Sequence, residues 1–268
     1  MLQCSLGNLE TTVVRRALSG YTFVEFTIPV DAYTDSPKFT LTIGNLESEY
    51  RMVGSEVYMH PGDRTVVRVS GMLGSQEKWL SARPRSVESS KASELLKGMG
   101  ISNGPDVPVT LLNLALNDGQ LAILLANMSP KTALVDFEDN TVKYYSELYR
   151  RQRPVQVKTP FRRLYGRAPV AGYIGWDTSV TGAYPDDTQA TLPFGQSVNM
   201  DGSLLKNALD NCNALARAFS DMQMFTYPQE LGLGTTVASE LTYDKKVIVA
   251  AEEHYDANSN VSAVYYCI

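Results

Sequence analysis

The chain opens with apolar and polar residues in alternation. "YTFVEFTIPV" alternates until Pro29, and "KFTLTIGN" alternates until a Gly-Asn turn signal. "SEYRMVGSEVYMHPGDRTVVRVSGM" predicts further strands joined by a turn at "HPGD". Short strands at intervals of about ten residues are typical of a small barrel or sandwich. We therefore predict a first β-region over residues 1–80. Its core face is expected to carry Phe23, Phe39, Leu41, Ile43, Val67 and Val69.

Helical spacing replaces this alternation beyond residue 80. "SVESSKASELLKGMGI" predicts a helix that Ser89 or Ser90 can cap and that Gly98 or Gly100 can end. Its apolar positions near helical spacing are Val87, Leu95, Leu96 and Met99.

A second helix and a hairpin follow. "DGQLAILLANMSP" predicts a helix that is capped by Asp118 and ends before Pro130. "ALVDFEDNTVKYYSELY" predicts a hairpin that turns near Asp139 and Asn140. Residues 81–149 are therefore predicted to form a helical and hairpin connector.

From residue 150 the chain returns to a Pro-, Gly- and Thr-rich pattern that alternates in places. An amphipathic helix interrupts this second β-region at 201–224, with Asp201 or Ser203 as its cap. The apolar stripe of that helix is Leu204, Leu205, Ala208, Leu209, Cys212, Leu215, Ala216, Phe219 and Met222. Three strands are predicted after it, with turns at Asp244-Lys245 and at 256–260.

The fold class that follows is mainly β with α (α+β). We predict two small β-barrels, over 1–80 and 150–268, joined by the connector at 81–149. One long helix is inserted in the second barrel. No repeat of 20–50 residues and no low-complexity segment interrupts this organisation.

Charge and composition narrow the class of protein. The 268-residue chain has a formal net charge of −5, which argues against a dedicated nucleic-acid binder. No apolar run approaches the roughly 18–20 residues that a membrane span needs. "MLQCSLGNLE" lacks the basic and apolar regions of a signal peptide, so we expect folding in a cytoplasm. Cys4, Cys212 and Cys267 are an odd, scattered set without CxxC spacing, so no disulfide framework is predicted.

Metal-binding chemistry is sparse in the sequence. Glu252 and His254 share one face of a predicted strand and Glu253 points to the other, so a metal would need a third ligand from elsewhere. His60 lies in the predicted "HPGD" turn without a neighbouring ligand. We interpret "EEHY" as a polar strand end that faces solvent or a partner, and we predict no metal and no cofactor.

Catalytic motifs are equally sparse. The chain contains neither a G-x-S-x-G elbow nor a phosphate loop of the GxxxxGK[ST] or GxGxxG kind. The paired carboxylates Asp186-Asp187 and Glu138-Asp139 lie in or near predicted turns, where Asp is common anyway. We predict no catalytic residue and no enzyme.

A basic strip is the less ordinary feature. "RRQRPVQVKTPFRRLYGR" holds seven basic residues and no acidic one, so the rest of the chain carries a formal −12. Such asymmetry concerns partners rather than fold. The candidate partner-binding residues are Arg150, Arg151, Arg153, Lys158, Arg162, Arg163 and Arg167. The strip can meet an acidic face of a neighbouring copy, an acidic second protein or a phosphate backbone. It can equally be a solvated edge strand blunted by charge.

Three stretches carry a resemblance to a known family. They are "RVSGMLGSQEKWLSARPRSVESSKASELLKGMGI", "ALVDFEDNTVKYYSELYRRQRPVQVKTPFRRLYGR" and the segment from "DGSLLKNALDNCNALARAF" to "VSAVYYCI". With this order of elements, the chain resembles the baseplate hub proteins of contractile bacteriophage tails. That family includes late control protein D and the hub of T-even phages. The resemblance covers about 180 residues as pattern matches, without a single diagnostic motif.

The resemblance implies a structural subunit of the virion tail baseplate, assembled in the host cytoplasm. It implies a homotrimer whose six barrels adapt a sixfold tail tube above to a threefold central spike below, beside other baseplate proteins. DNA would pass through an acidic lumen without specific binding. Closed rings of this kind use head-to-tail interfaces with two different patches on each subunit, and the basic strip would supply one.

Two other functions stay open at this point. The first is a hexameric tail-tube or tube-initiator protein. The second is a glycan-binding or glycan-cleaving protein at a tail tip, in which aromatic residues of "GYIGWDTSVTGAY" stack on sugar rings.

Overall fold

A computed structural model describes residues 2–9, 11–60, 64–81, 85–114, 116–151, 153–163, 189–191, 197–199, 202–256 and 260–268. The strands are β1 (Leu2–Cys4), β2 (Thr11–Ala17), β3 (Phe23–Pro29), β4 (Lys38–Ile43), β5 (Leu46–His60), β6 (Arg64–Leu73), β7 (Arg85–Lys91), β8 (Pro108–Leu114), β9 (Ala133–Asp136), β10 (Thr141–Tyr144), β11 (Val155–Val157), β12 (Arg162–Arg163), β13 (Gln189–Thr191), β14 (Ser197–Asn199), β15 (Gln223–Tyr227), β16 (Thr236–Ser239), β17 (Lys245–Tyr255) and β18 (Val261–Cys267). The helices are α1 (Ala92–Gly98), α2 (Asp118–Ala126), α3 (Tyr145–Arg151) and α4 (Gly202–Ser220), with 3₁₀ segments at Val30–Ala32 and Gly74–Leu80.

The first six strands form one half of a large sheet, in the order β1-β4-β5-β6-β3-β2. The predicted alternation and the turn at Gly44, whose φ is +62°, are confirmed by the hairpin of β4 and β5. β6 pairs antiparallel with both β5 and β3. This half has its own apolar core: Leu6, Val14, Val24, Phe26, Ile28, Phe39, Leu41, Tyr50, Val67 and Val69. Of the predicted core face, Phe23 and Ile43 are only partly buried, and Phe23 packs on the central core instead.

A second set of six strands lies in the C-terminal part, in the order β11-β16-β17-β18-β15-β12. Its core consists of Val157, Phe225, Val237, Ile248, Ala251, Ala263, Tyr265 and Cys267. The two end strands, β11 and β12, are separated by only residues 158–161 of the chain. The predicted final three strands are thus confirmed as β16, β17 and β18.

The two sets are joined edge to edge, because β2 pairs antiparallel with β17 from Ala17↔Ala250 to Thr12↔Tyr255. The result is one 12-stranded sheet rather than two separate ones. The prediction of a mainly β, α+β protein is confirmed. Two closed barrels are not confirmed, since no ring of strand pairings closes among the residues described above.

A layer of helices packs against the middle of this sheet and forms the third and largest core. Six consecutive residues of α2, Leu121 to Ala126, are buried, so this short helix is apolar all round. Its N-cap is Asn117, one residue before the predicted Asp118. The Asn117 side chain accepts from the backbone N–H of Gln120 at 2.8 Å, and the Gln120 side chain accepts in return at 3.2 Å. This reciprocal capping box satisfies two N–H groups at the helix start.

Three of the predicted element boundaries, two of helices and one of a hairpin, were wrong. Val87 belongs to β7, which pairs with β8, so α1 begins only at Ala92, and the backbone N–H of Lys91 donates to Glu94 there. "YSELY" forms α3 instead of extending the hairpin of β9 and β10. The long helix ends at Ser220 rather than at residue 224, because Gln223 already pairs with Cys267 in the sheet. The predicted "HPGD" turn and the Asp201 cap lie largely outside the described residues.

Candidate functional site

The basic strip runs from the end of α3 across both end strands of the second set, β11 and β12. Arg150 is near the end of α3, Arg153 and Lys158 flank β11, and Arg162 and Arg163 make up β12. All five residues are exposed. In the described sheet β12 pairs only with β15, so the strip includes an edge strand. Arg151 is the last residue of α3, and Arg167 lies outside the described part of the chain.

Among the strip residues with described side chains, Arg163 forms an ion pair within the chain. Arg163 donates to Asp221 at 3.2 Å, and the two side chains are 67% and 73% exposed. Exposed pairs of this kind contribute about 0–1 kcal/mol, so Arg163 stays available to a partner. Among the described residues, no ion pair forms with Arg153, Lys158 or Arg162. The charge of the strip is therefore mostly not neutralised within the described chain.

The turn between β16 and β17 lies beside the strip. The Ser239 hydroxyl donates to the backbone carbonyl of Thr159 at 3.1 Å, and the Glu240 N–H donates to the carbonyl of Val157 at 3.0 Å. On the other side, the Lys245 ammonium lies 4.6 Å from the ring centre of Tyr149, which precedes Arg150 in α3. The basic strip and this turn thus form one continuous surface.

The "EEHY" segment lies near the end of β17, and its residues face two ways as predicted. Glu252 accepts from Arg15 Nε at 3.0 Å, and His254 Nε2 lies 2.9 Å from the other Glu252 oxygen, with the His254 ring half-exposed. Glu253 points to the opposite face, where only 2% of its side chain is exposed. This strand end is therefore polar on one face and holds a buried carboxylate on the other.

The buried Glu253 belongs to a partly buried ionic cluster that bridges the two halves of the sheet. Arg16 on β2 forms an ion pair with Glu253 and lies 3.1 Å from Glu230 and 3.7 Å from Glu138. The Tyr255 hydroxyl donates to Glu253 at 3.0 Å. Three carboxylates thus surround one guanidinium, and the cluster carries a net negative charge when all four groups are ionised.

The residues of this cluster line a cleft of about 430 Å³. Apolar residues of the first set of strands line its walls, among them Leu41, Ile43 and Leu46. Burial raises the pKa of Glu138 above its ordinary value, against the opposing pull of Arg16. Burial and the Glu138 charge raise the pKa of Tyr50, another wall residue, to about 12. The cleft is therefore lined both by apolar side chains and by the carboxylates around Arg16.

The other predicted chemical candidates do not converge on a site. His60 ends β5, but its side chain is not among those described, and Asp186-Asp187 and "GYIGWDTSVTGAY" lie outside the described residues. Asp139 instead pairs with Lys143 at 3.2 Å within the β9–β10 hairpin. Across the described residues, no three His, Cys, Asp or Glu side chains are grouped closely enough to hold a metal ion.

Comparison with known proteins reveals a likeness at the level of fold. No protein-family model matches the chain, and no curated protein sequence matches it. A tail protein from Neisseria meningitidis MC58 superposes with a TM-score of 0.57 at 12% identity, over 99% of this chain and 94% of its own. The 43 kDa tail protein of prophage MuSo2 from Shewanella oneidensis gives 0.60 at 10% identity, over 100% and 95%. The chain shares its fold with phage tail proteins.

A third solved structure extends this likeness to secretion systems. It is an E. coli component of the type VI secretion system, described as structurally similar to the T4 bacteriophage tail proteins gp27 and gp5. It gives a TM-score of 0.51 at 9% identity, over 100% of this chain and 76% of its own. At such low identities the shared property is the fold. None of the helices in the described ranges has the length and apolar character to cross a membrane.

The ionic cluster around Arg16 is the part of the site that sequence reasoning missed. The alternation had already placed Glu253 opposite Glu252 and His254, on the face of β17 that also carries the buried Ala251. A carboxylate on an apolar face needs a cation, and that signal was available in the sequence. The identity of the cation was not, because Arg16 lies 237 residues away in the chain.

Proposed function

We propose that the protein is a structural subunit of a phage tail baseplate hub. In this proposal it forms a trimeric ring between a sixfold tail tube and a threefold central spike. The observation that carries it is the presence of two six-stranded sets, each with its own core, joined edge to edge through β2 and β17 in one chain. Three copies would present six such sets, which is the number that a sixfold tube requires.

The fold comparisons support the same proposal. The likeness extends over essentially the whole chain and nearly the whole of two phage tail proteins, so it is not confined to one small motif. The description of the secretion-system neighbour relates that protein to the T4 tail proteins gp27 and gp5. In the proposed assembly, each set of strands is a barrel-like module, and the central helices form the connector. The chain binds proteins, takes no cofactor and catalyses nothing.

The basic strip is proposed as one of two unlike patches that such a ring needs. A closed ring of identical copies uses head-to-tail interfaces, in which a patch meets a different patch on the next copy. The exposed Arg153, Lys158 and Arg162 supply positive charge on a chain that is acidic overall. They would meet acidic surface on the neighbour, and DNA would pass through the lumen without specific binding.

The oligomer mass tests the proposed function. Light scattering after size exclusion should give about 88 kDa, three times the chain mass of 29.5 kDa. A hexamer of about 177 kDa would instead support a tail-tube subunit, and a monomer would contradict both. Co-expression with neighbouring virion genes, followed by electron microscopy, should place the chain between tube and spike. Any other location would rule out the hub.

Charge reversal tests the basic strip. The double variant Arg162→Glu, Arg163→Glu should weaken assembly at low salt, and rising salt should reduce the difference from the unmodified chain. The control is Lys38→Glu, Lys97→Glu, which makes the same change in net charge at two exposed lysines elsewhere. If both double variants assemble alike, the strip is only a solvated edge.

A further inference from the structure

The turn between β16 and β17 exposes two large apolar side chains. Tyr243 is 90% exposed and Leu241 is 62% exposed, side by side at the tip. Single exposed apolar residues are ordinary, but Tyr243 also has a φ of +59°, the left-handed region that non-glycine residues rarely occupy. The backbone at Tyr243 is therefore strained, and its aromatic ring is almost fully exposed to solvent.

This turn is fixed in place by hydrogen bonds. The Ser239 hydroxyl oxygen accepts from the N–H groups of Leu241 at 3.2 Å and Thr242 at 3.4 Å. The Tyr243 N–H donates to the Ser239 carbonyl at 2.9 Å, and the Ser239 N–H donates to the Asp244 carbonyl at 3.1 Å. Strained backbone persists where its surroundings over-determine it, and such positions cluster at functional sites. A turn whose backbone is already ordered loses little backbone conformational entropy when it docks.

The cleft above the Arg16 cluster has a shape and chemistry that suit this turn. Its volume of about 430 Å³ lies in the range of pockets that accept a side chain or small ligand, and its walls include Leu41, Ile43 and Leu46. Aromatic residues that fill such pockets are typical hot spots of protein interfaces.

Charge favours the same pairing. The acidic residues of the turn, Glu240 and Asp244, are balanced by Lys245 and Lys246, while Lys158 of the strip lies next to it and adds positive charge. The cleft lining includes three carboxylates and one guanidinium. The positive surface around the turn thus complements the net negative charge of the cleft lining.

The two features lie at opposite ends of one strand. β17 begins at Lys245 next to the turn and ends at Tyr255, which lines the cleft. Eleven residues of strand span about 33–37 Å, so a copy cannot insert its own turn into its own cleft. A neighbouring copy can, and repetition of this contact produces a head-to-tail assembly.

We propose that the turn at 239–244 of one copy docks into the Arg16 cleft of a second copy of this chain, with Tyr243 as the anchor. This inference rests on the proposed function as an assembly subunit and names the contact that drives it. Leu241 packs beside the anchor against apolar lining residues such as Leu46, and the basic strip faces the acidic residues of the cleft.

Two single variants test the contact from both sides. Tyr243→Gly removes the anchor, and it relieves backbone strain because glycine tolerates the positive φ. The variant should therefore be at least as stable as the unmodified chain, while sedimentation shows self-association weakened by about tenfold or more. Leu46→Glu should block the cleft from the other side at a residue that is 76% exposed. Val57→Ser, at a 65% exposed residue on β5, is the matched control and should assemble normally.

Mixing the two defective variants gives the sharper result. Tyr243→Gly keeps an intact cleft and Leu46→Glu keeps an intact turn, so together they should form a complex of one copy of each that grows no further. Three results would overturn the contact. Tyr243→Gly could associate as strongly as the unmodified chain, the unmodified chain could stay monomeric at the highest concentration reached, or the two variants could fail to combine. Trimers that persist in Tyr243→Gly would refute this inference and leave the hub proposal intact. Loss of assembly from an oligomer other than a trimer would support the contact and contradict the hub.

Discussion

Arg16 on β2 and the buried Glu253 on β17 form an ion pair at the ladder that joins the two halves of the sheet. Burial alone would lower the pKa of Arg16, but the charges of Glu253 and Glu138 raise it above its ordinary value. Desolvating a carboxylate is costly unless a cation compensates it. The ion pair therefore helps to hold the two halves of the sheet together.

Removal of the cation should destabilise this connection. Arg16→Met leaves Glu253 buried without its partner, and the expected loss is about 3–5 kcal/mol in the free energy of unfolding. Lys38→Met, which breaks the exposed pair with Glu49 (61% and 58% exposed), is the matched control and should cost no more than about 1 kcal/mol. Urea denaturation followed by circular dichroism measures both. Equal losses in the two variants would show that the junction does not depend on the pair.

Much of the fold could be predicted because its signals are local. The alternation of apolar and polar residues in β3, β4 and β18 lies within each strand's own sequence. The apolar stripe of α4 is equally local, and its Ala208 and Cys212 are buried as expected. The predicted basic strip is likewise a local run of charge.

The rest depends on partners that lie far away in sequence. Val87 has a helix-compatible spacing, but its pairing with Leu111 on β8 places it in a strand. The ladder between β2 and β17 joins the two ends of the chain, and no local pattern marks it. The cleft forms only where that ladder brings Arg16 next to Glu253, so it could not be predicted.

The pH dependence of stability should reflect Glu138. Burial raises the pKa of Glu138 in the folded protein, so the folded state binds this proton more tightly than the unfolded state does. The contribution of Glu138 to the free energy of unfolding therefore increases as the pH falls from neutral. The increase occurs between the pKa of Glu138 in the folded protein and its ordinary pKa. The free energy of unfolding of the unmodified chain minus that of Glu138→Gln should accordingly be larger near pH 5 than near pH 7. If this stability difference is instead smaller near pH 5 than near pH 7, the pKa of Glu138 is not raised in the folded protein.

Two glycines of the β5–β6 hairpin should respond differently to alanine. A Cβ at Gly71 would lie 2.4 Å from the ring of Phe39, which is held between Phe26 at 5.2 Å and Tyr50 at 5.6 Å between ring centres. The ring cannot move without disturbing both neighbours, so Gly71→Ala should cost about 1–3 kcal/mol or more. A Cβ at Gly54 meets nothing within 4 Å. Gly54→Ala should change stability by no more than about 0.5 kcal/mol in thermal unfolding, and similar losses at both positions would contradict the packing argument.

The attachment of α4 to the rest of the helical layer should depend on Asn211. Its side-chain amide donates to the backbone carbonyls of Asn127 at 2.9 Å and Ser129 at 2.7 Å, and its oxygen accepts from Thr132 at 3.1 Å. All of these bonds fix the buried segment that follows α2. Asn211→Ala would leave two buried carbonyls without this donor, and we expect a loss of about 1–3 kcal/mol in the free energy of unfolding.

Asn213→Ala is the control, because Asn213 lies two positions along the same helix and is only partly buried. Its loss should stay within about 0.5 kcal/mol. Hydrogen exchange gives a second readout: in Asn211→Ala, amide protection should fall in α4 and in residues 127–133 before it falls in the sheet. Uniform loss of protection across the molecule would mean that Asn211 stabilises the whole fold and does not specifically hold α4 against α2.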